Sequence, residues 1–180
     1  MRIIFEGPDN VGKSTLIRGI IKELKIPFLC LHSYAPPGSL NGKDVENFHT
    51  DLYKSMFKVM EDNKFVISDR FYPGSYVYSK LYNRGISGDF VLDLEYEESK
   101  KDYFDDVCMI ILLDSPENLV IREDGLSIMT GIDIKKKEVS LYKEIFEKIS
   151  IKKKALVNVE NKSEKEVLNE VIGKLKDFYE

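Results

Sequence analysis

The chain has 180 residues, of which 43% are hydrophobic and 32% are charged, and its formal net charge is -4. A chain of this length and composition folds as a globular unit with a sizeable core, so we expect a single domain over residues 1–180. The acidic balance disfavours a nucleic-acid-binding surface, and no apolar run approaches the length of a membrane span, so we expect neither nucleic acid nor a membrane among the partners.

Short apolar runs alternate with amphipathic helical patterns along the chain. The runs predict strands at 2–6, 27–32, 65–68, 107–113 and 155–159. The helical patterns predict helices near 13–24, 43–62, 74–83, 89–103, 116–122, 135–149 and 163–178. Strands and helices that alternate in this way form a parallel sheet covered on both faces, with ligands at the carboxyl ends of the strands. The predicted fold class is therefore three-layer α/β.

The most specific motif lies between the first strand and the first helix, at residues 7–14. Its sequence, Gly-Pro-Asp-Asn-Val-Gly-Lys-Ser, fits G-x-x-x-x-G-K-[ST], the P-loop that cradles phosphates with backbone N–H groups. In this motif the Lys13 ammonium reaches the terminal phosphates, and the Ser14 hydroxyl holds Mg²⁺. The apolar run before the motif and the helical pattern after it supply the context that a P-loop requires.

A second group of candidate residues follows the third predicted strand, where Asp69 and Arg70 end an apolar run. This placement brings both side chains to the sheet edge at which the P-loop opens. Asp69 can hold Mg²⁺ through water, and the planar guanidinium of Arg70 can fork onto a phosphate. The alternative is a structural pair that caps the following helix.

Two cysteines, Cys30 and Cys108, lie in separate apolar runs. Neither has a second cysteine nearby, so we expect two buried free thiols rather than a disulfide or a metal site. Isolated, reduced cysteines are typical of a cytoplasmic protein.

Three stretches resemble thymidylate kinases in sequence. Residues 5–15 are similar to the P-loop of that family, which carries an aspartate two residues after the first glycine, here Asp9. Residues 68–71, followed by Ser75 and Tyr78, resemble the family's Asp-Arg-aromatic signature. Residues 112–117 resemble its Leu-Asp-x-Pro-Glu turn after the fourth strand. The three stretches occur in the family's order and at its approximate spacing.

The resemblance implies a P-loop kinase fold with a five-stranded parallel sheet and a short lid. It also implies transfer of the γ-phosphoryl group of ATP to dTMP with Mg²⁺, a reaction that depends on positioning and charge neutralisation. By motif, Ser14 and Asp69 would hold the metal, and Arg70 would bridge the donor and acceptor phosphates. The donor phosphates would be bound by the P-loop residues Asn10, Val11, Gly12, Lys13, Ser14 and Thr15.

On the acceptor side, the resemblance assigns Asp9 to the sugar 3′-hydroxyl and to ordering of the acceptor phosphate. Ser75 would touch the base, and Tyr78 would wall off the 2′ position of the sugar. Three departures from the family's pattern all fall on this side. Residues 32–38 contain no phosphate-gripping arginine, Phe48 and His49 only approximate the base-facing pair, and Gly74 replaces a serine.

The segment 122–133 contains two glycines and no regular period, and in P-loop kinases this position is a lid that closes over the phosphates. Arg122 is its one arginine and our candidate catalytic cation, and residues 135–137 offer lysines instead. The alternative is an ordinary surface loop in which Arg122 is paired with an acid.

We therefore predict a kinase that phosphorylates a deoxynucleoside monophosphate, with dTMP as the first choice. Its partners are small nucleotides, and a homodimer is expected from the family. One alternative is a kinase of the same fold that acts on another deoxynucleotide or on a nucleoside. A second is a non-kinase nucleotide-binding switch, which the lack of an Asn-Lys-x-Asp guanine motif disfavours. A third, a DNA-end kinase, is disfavoured by the net charge.

Overall fold

Five parallel strands form the central sheet in a computed structural model that describes residues 1–36, 40, 42–125 and 130–180. Their order across the sheet is β2-β3-β1-β4-β5, so the first strand lies in the middle. The strands are β1 (Arg2–Glu6), β2 (Leu29–His32), β3 (Val66–Asp69), β4 (Val107–Leu113) and β5 (Lys153–Asn158).

Seven α-helices cover the sheet in the described part of the chain. They are α1 (Lys13–Leu24), α2 (Gly42–Asp62), α3 (Tyr72–Leu81), α4 (Phe90–Glu98), α5 (Pro116–Ile121), α6 (Ile132–Lys148) and α7 (Glu164–Tyr179). The connection from β1 to β2 runs towards the β2 edge of the sheet, whereas the later connections all run towards the β5 edge. Because crossovers between parallel strands are right-handed, α1 lies on one face of the sheet and α2 to α6 lie on the other. Contact between α1 and α7 completes the first face. The three-layer prediction is confirmed.

Most boundaries differ from the prediction by one to three residues, but the helix predicted over 89–103 is broken. α4 ends at Glu98, and a separate 3-10 helix follows over Asp102–Asp106. The break turns the chain so that Phe104 packs into the core. A continuous helical pattern in the sequence does not reveal a turn that tertiary packing imposes.

The core is densest where β1 and β4 run side by side, since every residue of both strands is buried. Cys108 lies in β4 and is buried as predicted, but Cys30 is exposed, so the prediction for that thiol was wrong. The reason is that β2 is a short strand at the edge of the sheet, where an apolar run is only partly covered.

Helix ends follow the sequence signals closely. Ser115 caps α5 just before Pro116 by accepting a hydrogen bond from the Asn118 N–H, and Ser163 and Glu166 form the two bonds of a capping box before α7. None of the helices in the described segments combines the length and the apolar character that crossing a membrane requires.

Candidate functional site

The conformation of the P-loop depends on two of its glycines, Gly7 and Gly12. At Gly7, with φ of 138°, a Cβ atom would lie 2.3 Å from the Leu112 carbonyl oxygen on β4. Gly12 has φ of 96°, a conformation that L side chains rarely adopt. The loop therefore packs directly against the central strands before α1 begins at Lys13.

Lys13 is buried inside the loop rather than extended into solvent. Its Nζ atom donates to the Gly7 carbonyl at 2.9 Å and to the Pro8 carbonyl at 2.7 Å. Burial lowers the pKa of Lys13 to about 7, and the nearby charge of Arg70 lowers it as well. The carboxylates of Asp9, Glu6 and Asp69 act in the opposite direction and raise this pKa. A phosphate group bound in the loop would raise the pKa of Lys13, because its negative charge stabilises the ammonium form.

Ser14 and Asp69, predicted from separate motifs, meet at the carboxyl edge of the sheet. The Ser14 hydroxyl donates to Asp69 Oδ2 at 2.6 Å. A hydroxyl and a carboxylate suit Mg²⁺, which takes one or two protein oxygens and completes its shell with water and substrate phosphates. In the described ranges no cluster of three or more His, Cys, Asp or Glu side chains could hold a metal alone, so phosphate oxygens would be needed.

Arg70 reaches back from the end of β3 to the P-loop. Its backbone has φ of 68°, a left-handed conformation that is uncommon for a residue with a side chain. The guanidinium donates to the Gly7 carbonyl at 3.2 Å, to the Tyr78 hydroxyl at 3.1 Å and to the Tyr142 hydroxyl at 3.2 Å, and it is paired with Asp9. These contacts favour the phosphate-facing interpretation over the helix cap.

Glu6 performs the capping that Arg70 does not. This fully buried carboxylate accepts from the Phe71 N–H at 2.6 Å and the Gly74 N–H at 3.1 Å, at the start of α3. It also accepts from the Tyr142 hydroxyl at 3.3 Å. Burial raises the pKa of Glu6, while Arg70 opposes that shift. Sequence reasoning gave Glu6 no role, although a charged residue at the end of an apolar strand is a usable signal.

Glu138 on α6 is a second contributor that sequence reasoning missed. Its Oε1 atom accepts from the Asp9 N–H at 3.2 Å and from the Tyr78 hydroxyl at 2.9 Å. The Lys135 Nζ atom lies 3.3 Å from Glu138 Oε2 and 3.3 Å from Glu123 Oε2. Lys135 is thus buried between two carboxylates, which removes it from the cations proposed for the lid.

Replacing Glu138 by glutamine is expected to lower kcat/KM for the predicted phosphorylation of dTMP about tenfold, because the P-loop backbone and Tyr78 lose a charged acceptor. We call Glu138 a positioning residue, so a melting temperature and the pH profile of kcat should be recorded with the rate. Glu147→Gln, which neutralises an exposed carboxylate on the same helix, is the matched control. A lower melting temperature with unchanged kcat/KM would mean that Glu138 only stabilises the fold.

The predicted lid begins at Arg122, which is paired with an acid, as the surface-loop alternative expects. Arg122 Nη1 lies 2.8 Å from Asp114 Oδ2, and the Asp114 side chain is fully buried at the end of β4. Residues 126–129 lie outside the described residues. At its other end the predicted lid is too long, because Ile132 and Asp133 already belong to α6, which begins after Gly131 with φ of 107°.

Three cavities meet around these residues. The P-loop cavity, of about 410 Å³, is lined by Asn10, Gly12, Lys13, Ser14, Thr15, Asp69 and Arg122, among others. The α3 cavity, of about 240 Å³, is lined by Ser75 and Tyr78 of α3. The α7 cavity, of about 570 Å³, lies between α1 and α7 and is also lined by Val11. Asp9, His32 and Arg70 line both the P-loop cavity and the α3 cavity, and so mark their junction.

The residue of α2 that lines the α3 cavity is not the predicted one, Phe48. His49 lines the cavity, together with Tyr53 one turn later, whereas Phe48 does not. Adjacent helical positions are rotated by about 100°, so only one of the pair can share the face of Tyr53. Arg84, which no motif singled out, also lines this cavity.

No protein-family model matches the chain. Among curated proteins, the thymidylate kinase of Onion yellows phytoplasma is 30% identical over 116 residues, which cover 52% of this chain and 56% of that protein. This chain therefore aligns with only about half the length of that relative.

Solved structures align with nearly the whole chain. Thymidylate kinase from Candida albicans has a TM-score of 0.67 at 16% identity, covering 99% of this chain and 92% of the other. YorR protein from Bacillus subtilis, in complex with phosphorylated GDP, gives 0.66 at 19% identity, with coverages of 98% and 96%. Deoxyadenosine kinase from M. mycoides gives 0.59 at 19%, with coverages of 98% and 100%. The comparisons confirm the P-loop kinase fold and the resemblance to thymidylate kinases that the motifs indicate.

Proposed function

We propose that this chain is an ATP-dependent kinase that phosphorylates a deoxynucleoside monophosphate, most of all dTMP. The observation that carries the proposal is the junction between the P-loop cavity and the α3 cavity. Arg70 lies at this junction with Asp9, and the Lys13 ammonium lies beside it in the loop. A donor phosphate chain on one side and an acceptor phosphate on the other would meet at Arg70.

The chemistry of such a transfer asks the protein for position and positive charge. The backbone N–H groups of the P-loop bind the donor phosphates, and the Lys13 ammonium neutralises charge that develops on the bridging oxygen. Arg70 is held by Asp9, Tyr78 and Tyr142, so its guanidinium has a fixed position at the junction of the two cavities. Mg²⁺, held by Ser14 and Asp69, would supply further charge neutralisation on the phosphates.

The donor nucleoside would occupy the α7 cavity. Val159, Val167 and Leu168 give this cavity an apolar lining, and Asn10, Gly12 and Thr15 connect it to the P-loop cavity. An apolar slot of this kind suits a flat purine base. Arg122 lines both the α7 cavity and the P-loop cavity, which supports its proposed role as a cation near the donor phosphates.

The acceptor would occupy the α3 cavity with its phosphate at the junction. Tyr78 supports a deoxy sugar, because its hydroxyl is already engaged by Arg70 and Glu138 and its ring is fixed in the cavity wall. His32 stands where the family's gripping arginine is missing, at the junction and 3.6 Å from Asp69. We assign His32 to the acceptor phosphate.

A coupled ADP-release assay over a panel of acceptors tests this function. With saturating Mg-ATP, dTMP and dUMP should be phosphorylated faster than dAMP, dGMP and UMP. The preference for dUMP over UMP should be roughly a hundredfold, because exclusion of a hydroxyl by shape is a modest discriminator. Faster turnover of purine monophosphates would contradict the assignment of a pyrimidine acceptor, but the proposed kinase activity would still stand.

A nucleoside kinase is the second candidate. The lack of an arginine among the described residues 32–36 favours it, since a nucleoside brings no phosphate to grip. The same panel should therefore include thymidine and deoxyadenosine, and turnover of these at the expense of monophosphates would select the second candidate. The proposed enzyme is cytoplasmic. It works as a homodimer, and light scattering can check this oligomeric state.

A further inference from the structure

Arg84 is an arginine in the α3 cavity that the proposed mechanism does not use. It follows α3, in the segment that leads to α4, and its backbone is fixed at both sides. The Arg84 N–H donates to the Ser79 carbonyl at 3.2 Å, and the Arg84 carbonyl accepts from the Gly42 N–H at 3.0 Å. A half-buried side chain on such a fixed backbone is held in one part of the cavity.

The charge of Arg84 has no counterion among the described residues of this cavity. Asp9 is the one acidic residue among those that line it, and Asp9 is paired with Arg70. Across the described segments, no ion pair involves Arg84. Its guanidinium instead lies 5.4 Å from the centre of the Tyr82 ring, which stacks on the Tyr78 ring at 5.5 Å. An arginine with unused donors in a cavity marks a place for a ligand acceptor atom.

The position of Arg84 separates it from the phosphates. Asp9, His32 and Arg70 line both cavities, whereas Arg84, His49 and Tyr53 line the α3 cavity but not the P-loop cavity. An acceptor whose phosphate lies at the junction would therefore extend its base towards Arg84. The contacts of Arg84 with the acceptor would then be contacts with the base.

The other polar groups near Arg84 are already committed or neutral. Ser75 Oγ and the Tyr53 hydroxyl share a hydrogen bond at 2.6 Å. Burial lowers the pKa of His49 to about 4, with the Arg84 charge acting in the same direction, so the imidazole is uncharged near neutral pH. The His49 ring stacks on the Tyr53 ring at 5.5 Å. The guanidinium is thus the strongest hydrogen-bond donor left at this end of the cavity.

We propose that Arg84 selects the base of the acceptor by donating hydrogen bonds to the 4-carbonyl oxygen of a pyrimidine ring. A guanidinium has five N–H donors and no acceptor, so it matches the 4-carbonyl of thymine or uracil and opposes the 4-amino group of cytosine. This inference rests on the proposed function, and it narrows the substrate class to monophosphates of pyrimidines that carry a 4-carbonyl group.

The test compares Arg84→Gln and Arg84→Lys with the unaltered chain. kcat/KM is measured for dTMP, dUMP and dCMP at saturating Mg-ATP, and melting temperatures verify folding. Lys54→Gln removes one positive charge from the exposed side of α2 and serves as the control. The ratio of dTMP to dCMP turnover should fall at least about tenfold in Arg84→Gln, as expected for loss of a charged hydrogen bond, and less in Arg84→Lys.

Two results would overturn the assignment of Arg84 to the base. One is an unchanged dTMP to dCMP ratio in both folded variants. The other is an equal loss for all three monophosphates with no change in calorimetric binding of thymidine, which would assign Arg84 to the phosphate. Failure of the proposed function is distinguishable, because it would show as no phosphorylation by the unaltered chain. Calorimetry with thymidine and deoxycytidine would then still test Arg84 directly.

Discussion

Replacing Lys13 by alanine is expected to lower kcat about a thousandfold, the scale seen when a preorganised donor to a developing charge is removed. The Lys13 ammonium is held by the Gly7 and Pro8 carbonyls, so it occupies the loop without searching for its position. Alanine leaves those carbonyls to water and leaves the loop backbone in place. The measurement is single-turnover phosphorylation of dTMP at saturating Mg-ATP.

Lys22→Ala is the matched control for this experiment, because Lys22 is an exposed lysine on the same helix. Circular dichroism and a melting curve should show that both variants are folded. Turnover by folded Lys13→Ala at the rate of the unaltered chain would refute the P-loop kinase function.

Substitution of Arg70 should have the second-largest effect. Arg70→Lys keeps one positive charge but cannot contact the Gly7 carbonyl, Tyr78 and Asp9 together, as the guanidinium does. We expect kcat/KM for dTMP to fall about a hundredfold in Arg70→Lys and further in Arg70→Ala, since charged hydrogen bonds contribute about 1.5–3 kcal/mol each.

The left-handed backbone at residue 70 makes this pair of variants informative. Lysine and alanine both pay the cost of a positive φ, so the difference between them reports on the side chain alone. Arg18→Lys, at an exposed position on α1, controls for a general effect of the arginine-to-lysine change. If both Arg70 variants retain full kcat/KM, the contacts of Arg70 are structural.

The parts of the site that sequence reasoning predicted are those encoded locally. The P-loop needs one strand, one turn and one helix, and all three lie within residues 2–24. Ser14 and Asp69 are distant in sequence, yet their meeting was predictable because parallel strands bring their carboxyl ends to one edge. Periodicity and a turn motif were sufficient for both inferences.

The parts that were missed depend on packing between distant elements. Glu138 lies in a helical pattern beside three lysines, where a charged residue ordinarily belongs to a solvated face. Only the packing of α6 on α3 brings it to Tyr78 and to the P-loop. Arg84 follows a helix end, and no local pattern distinguishes it from an arginine on the surface.

Exposure of Cys30 on the edge strand makes the apparent mass of this protein sensitive to the redox state of the buffer. Oxidation of an accessible thiol can join two copies through a disulfide, whereas Cys108 is shielded inside β4. Such a covalent pair would have the mass of the proposed homodimer without its interface. Reducing buffer, or a Cys30→Ser variant, removes the ambiguity and leaves the noncovalent association to be weighed by itself.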